Sequence, residues 1–355
     1  MAFDLTLLIP GLFGIKAQGL YQGLSLTAIE RILSRAKRVD DNYSAGCLEA
    51  MLCRAAIGST DAGGECPVAA ISRRWEELSE PRRVGSTDNE FADNWYIRSD
   101  PVYARAGLGE LTLIHSRELA ITAKEANTIV ASINDHFSNE NWRIESPNPY
   151  RWYIQCVDAP GIRTTPLSQV TGPVTEEYLP VGEQAAYWRS VLNEIQMLLH
   201  SHPVNLQRET DESLPINSVW MWGEGRQSHV DKIRWDMLCS DNHIGRAIAR
   251  SAGAMHVDAC DGLSTVLHLE PRFTQCLVVI DWLDLPSRRV DLESWRKEMG
   301  RLDGLWFQPL LGALRSGIIA SLEISLGDGV AFRIKHSQIR HWWRRHRSFS
   351  EISHL

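Results

Sequence analysis

The sequence predicts an α/β fold: a mostly parallel sheet flanked by helices, with an α+β domain inserted into it. Three observations carry this. LTLLI (Leu5–Ile9) is continuously apolar and closed by Pro10 and Gly11, as suits a strand buried on both faces. CLVVI (Cys276–Ile280) repeats the pattern towards the other end of the chain. Between them, strand and helix patterns mix in a compact block, so both ends would build one sheet and the middle a second unit. The expected division is 1–92 with 213–355 for the sheet domain and 93–212 for the inserted domain.

The elements follow in order. After the first strand, LTAIERILSRAKR reads as a helix with Leu26, Ile29, Ile32 and Leu33 on one face and Thr27 with Glu30 as a capping box. Residues 57–90 read as loop with one short helical piece near Trp75. Trp95–Ile97 and Leu111–Ile114 read as strands. Thr122 and Glu125 form a second capping box, opening a helix through Phe137, and Arg151–Val157 is a strand. Thr164–Gly182 is a Pro/Gly/Thr-rich connector. EQAAYWRSVLNEIQMLLHSHP places Trp188, Leu192, Ile195 and Leu199 on one helical face, and Pro203 stops it. SDNHIGRAIARSAG is a helix with Ile244, Ala247 and Ile248 inward. Leu292–Leu311 is largely helical, and SLEISLGDGVAFRI reads as two strands around Gly327-Asp328-Gly329.

Composition bounds the function. The chain has 355 residues, 44% hydrophobic and 23% charged, which suits a globular protein of two domains or one with an insertion. Its net charge of −7 argues against general nucleic-acid binding. Seven scattered cysteines without a C-x-x-C pair suggest reduced thiols. The start, MAFDLTLLIPGLFG, lacks a basic n-region, and no apolar run is long enough to span a bilayer. The expectation is a cytoplasmic protein with no membrane partner.

Three stretches invite a functional reading. LPINSVWMWGEGR (Leu214–Arg226) fits a half-buried strand ending in a Gly-rich turn, or a loop whose Asn217, Glu224 and Arg226 surround a polar group; the strand is favoured. HSHPVN (His200–Asn205) offers two histidines, but helix geometry points such a pair to different faces. RIKHSQIRHWWRRHR (Arg333–Arg347) fits a C-terminal helix docked through Ile339, Trp342 and Trp343, or a basic surface for nucleic acid or membrane; docking is favoured. G-x-S-x-G, the P-loop motif and H-E-x-x-H are absent from the sequence.

The run VLNEIQMLLHSHPVNLQRETDESLPINSVWMWGEG resembles archaeal-type, cofactor-independent phosphoglycerate mutase, of the alkaline-phosphatase superfamily. It keeps His202, Pro203, Asn205, Arg208, Asn217, Trp220, Trp222, Gly223 and Gly225 in register with that family's pattern. SDNHIGRAIARSAG and TTPLSQV also have counterparts, so the resemblance covers about residues 110–260. A closer likeness is to a bacterial set of RpfE-type regulatory proteins, which share segments such as WYIRSDPVYAR.

The resemblance implies an alkaline-phosphatase-like sheet domain. It also implies two divalent ions, Mn or Mg, that clamp a phosphate and activate a serine. The serine's counterpart is Ser44, in YSAGCLEAML. The positions corresponding to metal ligands hold Pro10, Asp284 with Arg288, and Asp328 with Gly329. Proline and glycine offer no side-chain donor and arginine brings a cation, so no metal and no cofactor are expected, and Asp284 and Asp328 are vestigial. The leading reading is therefore a non-catalytic regulatory relative. It would bind a small anion or a protein partner in the interdomain cleft, through Arg98, His202, Asn205, Arg208, Asn217, Trp220, Trp222 and Arg226. One alternative is an active metal-dependent mutase or phosphohydrolase with ligands relocated among His200, His202, His243, His256, Asp258 and Asp261. Another is a nucleic-acid-associated regulator using Arg333–Arg347.

Overall fold

The computed structural model describes residues 2–14, 21, 23, 24, 26–42, 48–57, 67–79, 94–106, 111–170, 174, 176–226, 233–258, 261–269, 273–327, 329–340 and 345–353. Ser44, Asp328, Trp342 and Trp343 lie outside them. In chain order the regular elements begin with β1 (Phe3–Leu8), α1 (Thr27–Leu33), β2 (Lys37–Asp40), α2 (Leu48–Ile57), α3 (Val68–Ser79), β3 (Trp95–Ala106) and β4 (Leu111–Ile114). Next come α4 (Ala123–His136), β5 (Trp142–Asn148), β6 (Arg151–Cys156), α5 (Ala185–His200), α6 (Pro203–Thr210) and β7 (Ser218–Arg226). The chain continues through β8 (Met237–Cys239), α7 (His243–Ser251), β9 (Met255–Val257), α8 (Leu263–His268), β10 (Gln275–Val279) and α9 (Asp284–Arg288). It closes with α10 (Leu292–Leu302), α11 (Gln308–Ser316), β11 (Ile319–Ser325), β12 (Val330–Lys335) and α12 (Phe349–Ser353).

By contacts the chain divides into Met1–Thr60 with Val230–Leu355, and Asp61–His229. The first unit holds a seven-stranded sheet in the order β2-β12-β11-β1-β10-β8-β9. β1 pairs in parallel with β10 and β11, and β8 with β10 and β9; the hairpin partner β12 and the edge strand β2 add antiparallel pairs. The apolar runs at the two chain ends are thus neighbours at the centre of the sheet. Leu5, Leu7, Cys276, Val278, Leu322 and Ile324 pack with Trp295, Trp306 and Phe307 in one core. A single π-helical turn, Asp303–Phe307, joins α10 to α11, and the buried Asp303 carboxylate accepts the Ile29 backbone N–H at 2.9 Å.

The second unit holds a five-stranded antiparallel sheet, β4-β3-β6-β5 with β7 along the other edge of β3. Its apolar face packs Trp152, Ile154, Val219 and Met221 against Ile129 and Ile133 of α4 and Trp188, Ile195 and Leu199 of α5. α3 lies against β3 and β7, where Ala69 and Ala70 pack on Tyr96 and Tyr153. This division falls at 60/61 and 229/230 where the sequence reading has 92/93 and 212/213, because α3 packs on the second sheet and β7 pairs within it.

Several local expectations change. The Thr122–Glu125 capping box is present, with both reciprocal bonds. The Thr27–Glu30 box is not: α1 begins at Thr27 itself, its N-cap is Leu26, and Glu30 accepts the Phe349 backbone N–H at 2.9 Å. The C-terminal segment is no continuous helix. β12 consumes residues to Lys335, a 3₁₀ turn spans His336–Arg340, and α12 starts at Phe349. Ile339 is buried as expected. Cys53 and Cys239 each take part in a disulfide, which corrects the expectation of thiols throughout. Among the described residues no helix is long and apolar enough to cross a membrane.

Candidate functional site

β7 answers the question of strand or loop. Residues two apart on a strand share a face. Val219 and Met221 enter the apolar core, while Trp220 and Trp222 are buried with the polar side of the sheet. There Arg98 is only 3% exposed. Its Nε and Nη2 donate to Asp100 at 2.8–3.0 Å, and its carbon Cζ lies over the rings of Trp222 at 4.9 Å and Tyr153 at 5.3 Å. Trp222 Nε1 donates to the same carboxylate, at Asp100 Oδ2, at 2.9 Å. Burial alone would lower the Arg98 pKa; the Asp100 charge and hydrogen bond, with Tyr153 and Glu76, together more than offset it, and the guanidinium ends above its ordinary range. Burial also pushes the Tyr153 phenol well up. Glu76 of α3 accepts from Arg151 Nε at 2.5 Å and from the Tyr153 hydroxyl at 3.4 Å, extending the network to the covering helix.

The GEG of the stretch serves this packing. Tyr96 faces Gly225 and Arg98 faces Trp222, so the strand bulges between them. Gly223 adopts a φ of +65°. A Cβ on Gly225 would meet Pro67 at 2.4 Å, so the glycine lets the start of α3 sit on the strand. Glu224 accepts from the Thr164 hydroxyl and, at 3.2 Å, from its backbone N–H. Trp220 Nε1 donates to the Thr165 carbonyl at 2.8 Å, and the connector is thereby pinned along β7. Arg226 is exposed at the end of the strand.

His202, Asn205 and Arg208 form a second group, at the corner between α5 and α6. Pro203 ends one helix by opening the next at its first turn. His202 caps α6: Nδ1 accepts the Val204 N–H at 3.3 Å, which leaves Nε2 to bond Ser132 Oγ at 3.1 Å. Burial lowers its pKa. Asn205 donates to the carbonyls of Leu199 and Ile216 and accepts the Ile216 N–H, each at 2.8 Å. Arg208 donates to Leu214 O at 2.8 Å, to Glu125 at 2.7 Å and to Leu119 O. Asn217 does not join this group. It bonds both backbone groups of Ala104 on β3, at 2.7 and 2.9 Å. The signature residues thus fall into two clusters whose donors are directed at protein acceptors.

The carboxyl ends of parallel strands are where α/β sheets place ligands. In the first unit Pro10 follows β1 there and Asp281 follows β10. Burial raises the Asp281 pKa, and the charges of Asp241, Asp284 and Glu49 act in the same direction. Asp284 is ion-paired with Arg288, Nε to Oδ1 at 2.7 Å. A divalent ion would need that carboxylate and would be repelled by that guanidinium, so this donor set does not fit one. His202 is engaged at its helix cap in the second unit. His256, in the first, bonds the Ser240 carbonyl at 3.1 Å with Asp258 at 3.7 Å. Among the described residues no three His, Cys, Asp or Glu side chains form a metal-ligand group.

No family model matches the chain. It is 31% identical over 136 residues to the 2,3-bisphosphoglycerate-independent phosphoglycerate mutase of Methanosarcina barkeri, covering 36% of this chain and 34% of that protein. With the enzyme of the same name from Methanosarcina mazei it shares 32% over 107 residues, 30% and 27% of the two chains. This chain is related to these mutases. The matched part spans about a third of the mutases' own length. The fold extends further: the solved structure of PH0037 from Pyrococcus horikoshii superposes with a TM-score of 0.53 at 11% identity, over 94% of this chain and 87% of that one.

Sequence reasoning passed over Asp100, Glu76 and Tyr153. Asp100 was within reach, since it lies two residues from Arg98 on one strand and so shares its face. Glu76 and Tyr153 carried no such signal, because only the tertiary placement of α3 brings them to Arg98.

Proposed function

We propose that this chain is a non-catalytic relative of the cofactor-independent phosphoglycerate mutases, with the regulatory role implied by its likeness to RpfE-type proteins. The observation that carries this reading is the Arg288–Asp284 ion pair at 2.7 Å, at a position where the resemblance expects two metal ligands. Pro10, beyond β1, supports it, since its side chain has no donor for a cation. The mutase mechanism needs two clamped ions to position the phosphoryl group and activate a serine. A guanidinium already neutralises the Asp284 carboxylate. The retained signature supports the reading from the other side: Asn205, Arg208, Trp220 and Trp222 each have an internal partner that holds the fold. The family sequence can therefore persist after its chemistry is lost.

The test is a coupled assay for interconversion of 2- and 3-phosphoglycerate with purified protein in added Mn²⁺, together with its metal content after dialysis. The expected result is no conversion above the no-protein rate and no stoichiometric metal. Conversion at ordinary enzyme turnover would overturn the proposal.

A further inference from the structure

We propose that Arg31, Arg35, Arg315 and Arg340 form a binding site for a small oligophosphate anion. They come from three elements of the first unit. Arg31 lies in the last turn of α1 and Arg35 just beyond it; Arg315 lies in the last turn of α11; Arg340 ends the 3₁₀ turn after β12. α1 packs on α11, and the 3₁₀ turn packs on α11 as well. The fold therefore gathers four guanidinium-bearing residues that are scattered in the sequence.

Part of the arrangement is ordinary helix-end chemistry. Arg35 Nη1 donates to the Arg31 carbonyl at 2.9 Å, and Arg340 Nη2 to the Arg315 carbonyl at 3.3 Å. Those bonds orient the two side chains. Arg31, Arg315 and Arg340 are exposed, and among the described residues no carboxylate pairs with any of the three. Glu30, the one acid of α1, is turned to the Phe349 backbone N–H. Burial and then the like charges of Arg31 and Arg315 hold the Arg35 guanidinium below its ordinary range, so the cations repel one another where they stand. An anion carrying several charged oxygens would relieve that repulsion and meet the planar forks in bidentate fashion.

The shape of the cluster selects the ligand class. A long polyanion needs a basic track, and this chain carries a net charge of −7. Four arginines, with Arg31 and Arg315 beside Arg35 and Arg340 bonded to the Arg315 carbonyl, suit a compact anion with two or three linked phosphoryl groups. The site draws on α1, α11 and the turn after β12, whereas Asp284 and Arg288 belong to α9, so it stands or falls independently of the mutase relationship.

Isothermal titration of the full chain with sodium tripolyphosphate tests the proposal, with duplex DNA as the competing probe. One site is expected, weakened by added salt. Arg31→Gln/Arg315→Gln should weaken it about tenfold or more, since charge-assisted bonds are the strong ones. Lys124→Gln/Lys297→Gln removes the same net charge from exposed positions elsewhere and should leave binding unchanged. Should the arginine pair variant lose its folded melting transition, Arg340→Gln takes its place with the same expected direction. Absence of tripolyphosphate binding, equal loss in both pair variants, or preference for DNA through the same arginines would each overturn the proposal.

Discussion

Arg98 and Trp222 are held together by a third group: the cation lies 4.9 Å from the indole ring, and the indole N–H donates to the carboxylate that neutralises the cation. The trio joins adjacent strands, because Arg98 and Asp100 belong to β3 and Trp222 to β7. Removing one charge of such a buried pair leaves the other uncompensated, at a cost of about 3–5 kcal/mol. Asp100→Ala should lower stability to urea by that order. The apolar double variant Arg98→Met/Asp100→Leu should cost less than Asp100→Ala alone, which separates the penalty of an orphaned charge from the net worth of the pair.

Gly225→Ala should destabilise the second unit by about 1–3 kcal/mol, the usual cost of overpacking, because its Cβ would lie 2.4 Å from Pro67. Gly312→Ala is the contrast. A Cβ there meets nothing within 4 Å, and inside a helix alanine is favoured over glycine by up to about 1 kcal/mol. Thermal melts of the two variants should move in opposite directions.

Asn205→Ala should cost about 1–3 kcal/mol, since it strands buried backbone groups of Ile216 and Leu199. Asn217→Ala, at a half-buried position just ahead of β7 with Ala104 as its partner, should cost nearer 1 kcal/mol. Equal losses by chemical denaturation would contradict the separation of the two asparagines.

His202 gives stability a pH dependence. Burial depresses its folded-state pKa below the unfolded value of about 6.5. The unfolded chain therefore binds the extra proton first, and stability, intact above about 6.5, falls as pH drops from there towards the folded pKa. His256, also depressed chiefly by burial, adds to the same trend. His202→Asn keeps an oxygen acceptor for the helix cap, so its urea midpoint should fall less steeply than the parent's between pH 7 and about 5.

Much of the architecture was legible because burial leaves a pattern. The two continuous apolar runs marked central parallel strands, and Thr122 with Glu125 marked a helix start that formed as written. Thr27 with Glu30 had the same spacing, but the helix starts at Thr27, so its side chain is one position too far in to act as the cap. The spacing of Ile339, Trp342 and Trp343 suggested a helix. The preceding residues were claimed instead by pairing with β11, which no local pattern can reveal. The candidate site was legible as a set of residues and not as a geometry. Which of His202, Asn205, Arg208 and Asn217 meet depends on a helix corner and a strand register, and one residue of offset sends Asn217 to β3 while Asn205 takes Ile216.

The central position of β1 has a consequence for biosynthesis. Its partners are far away in sequence, Asp4 lying opposite Gln275 on one side and Ser321 on the other. At translation rates of roughly 5–20 residues per second, β1 waits about 15–55 s for β10 to emerge from the ribosome. Residues 95–226, which supply every strand of the other sheet, are by then complete. Through that interval β1 is an apolar segment whose natural neighbours do not yet exist, and shielding it becomes a task for whatever receives the nascent chain.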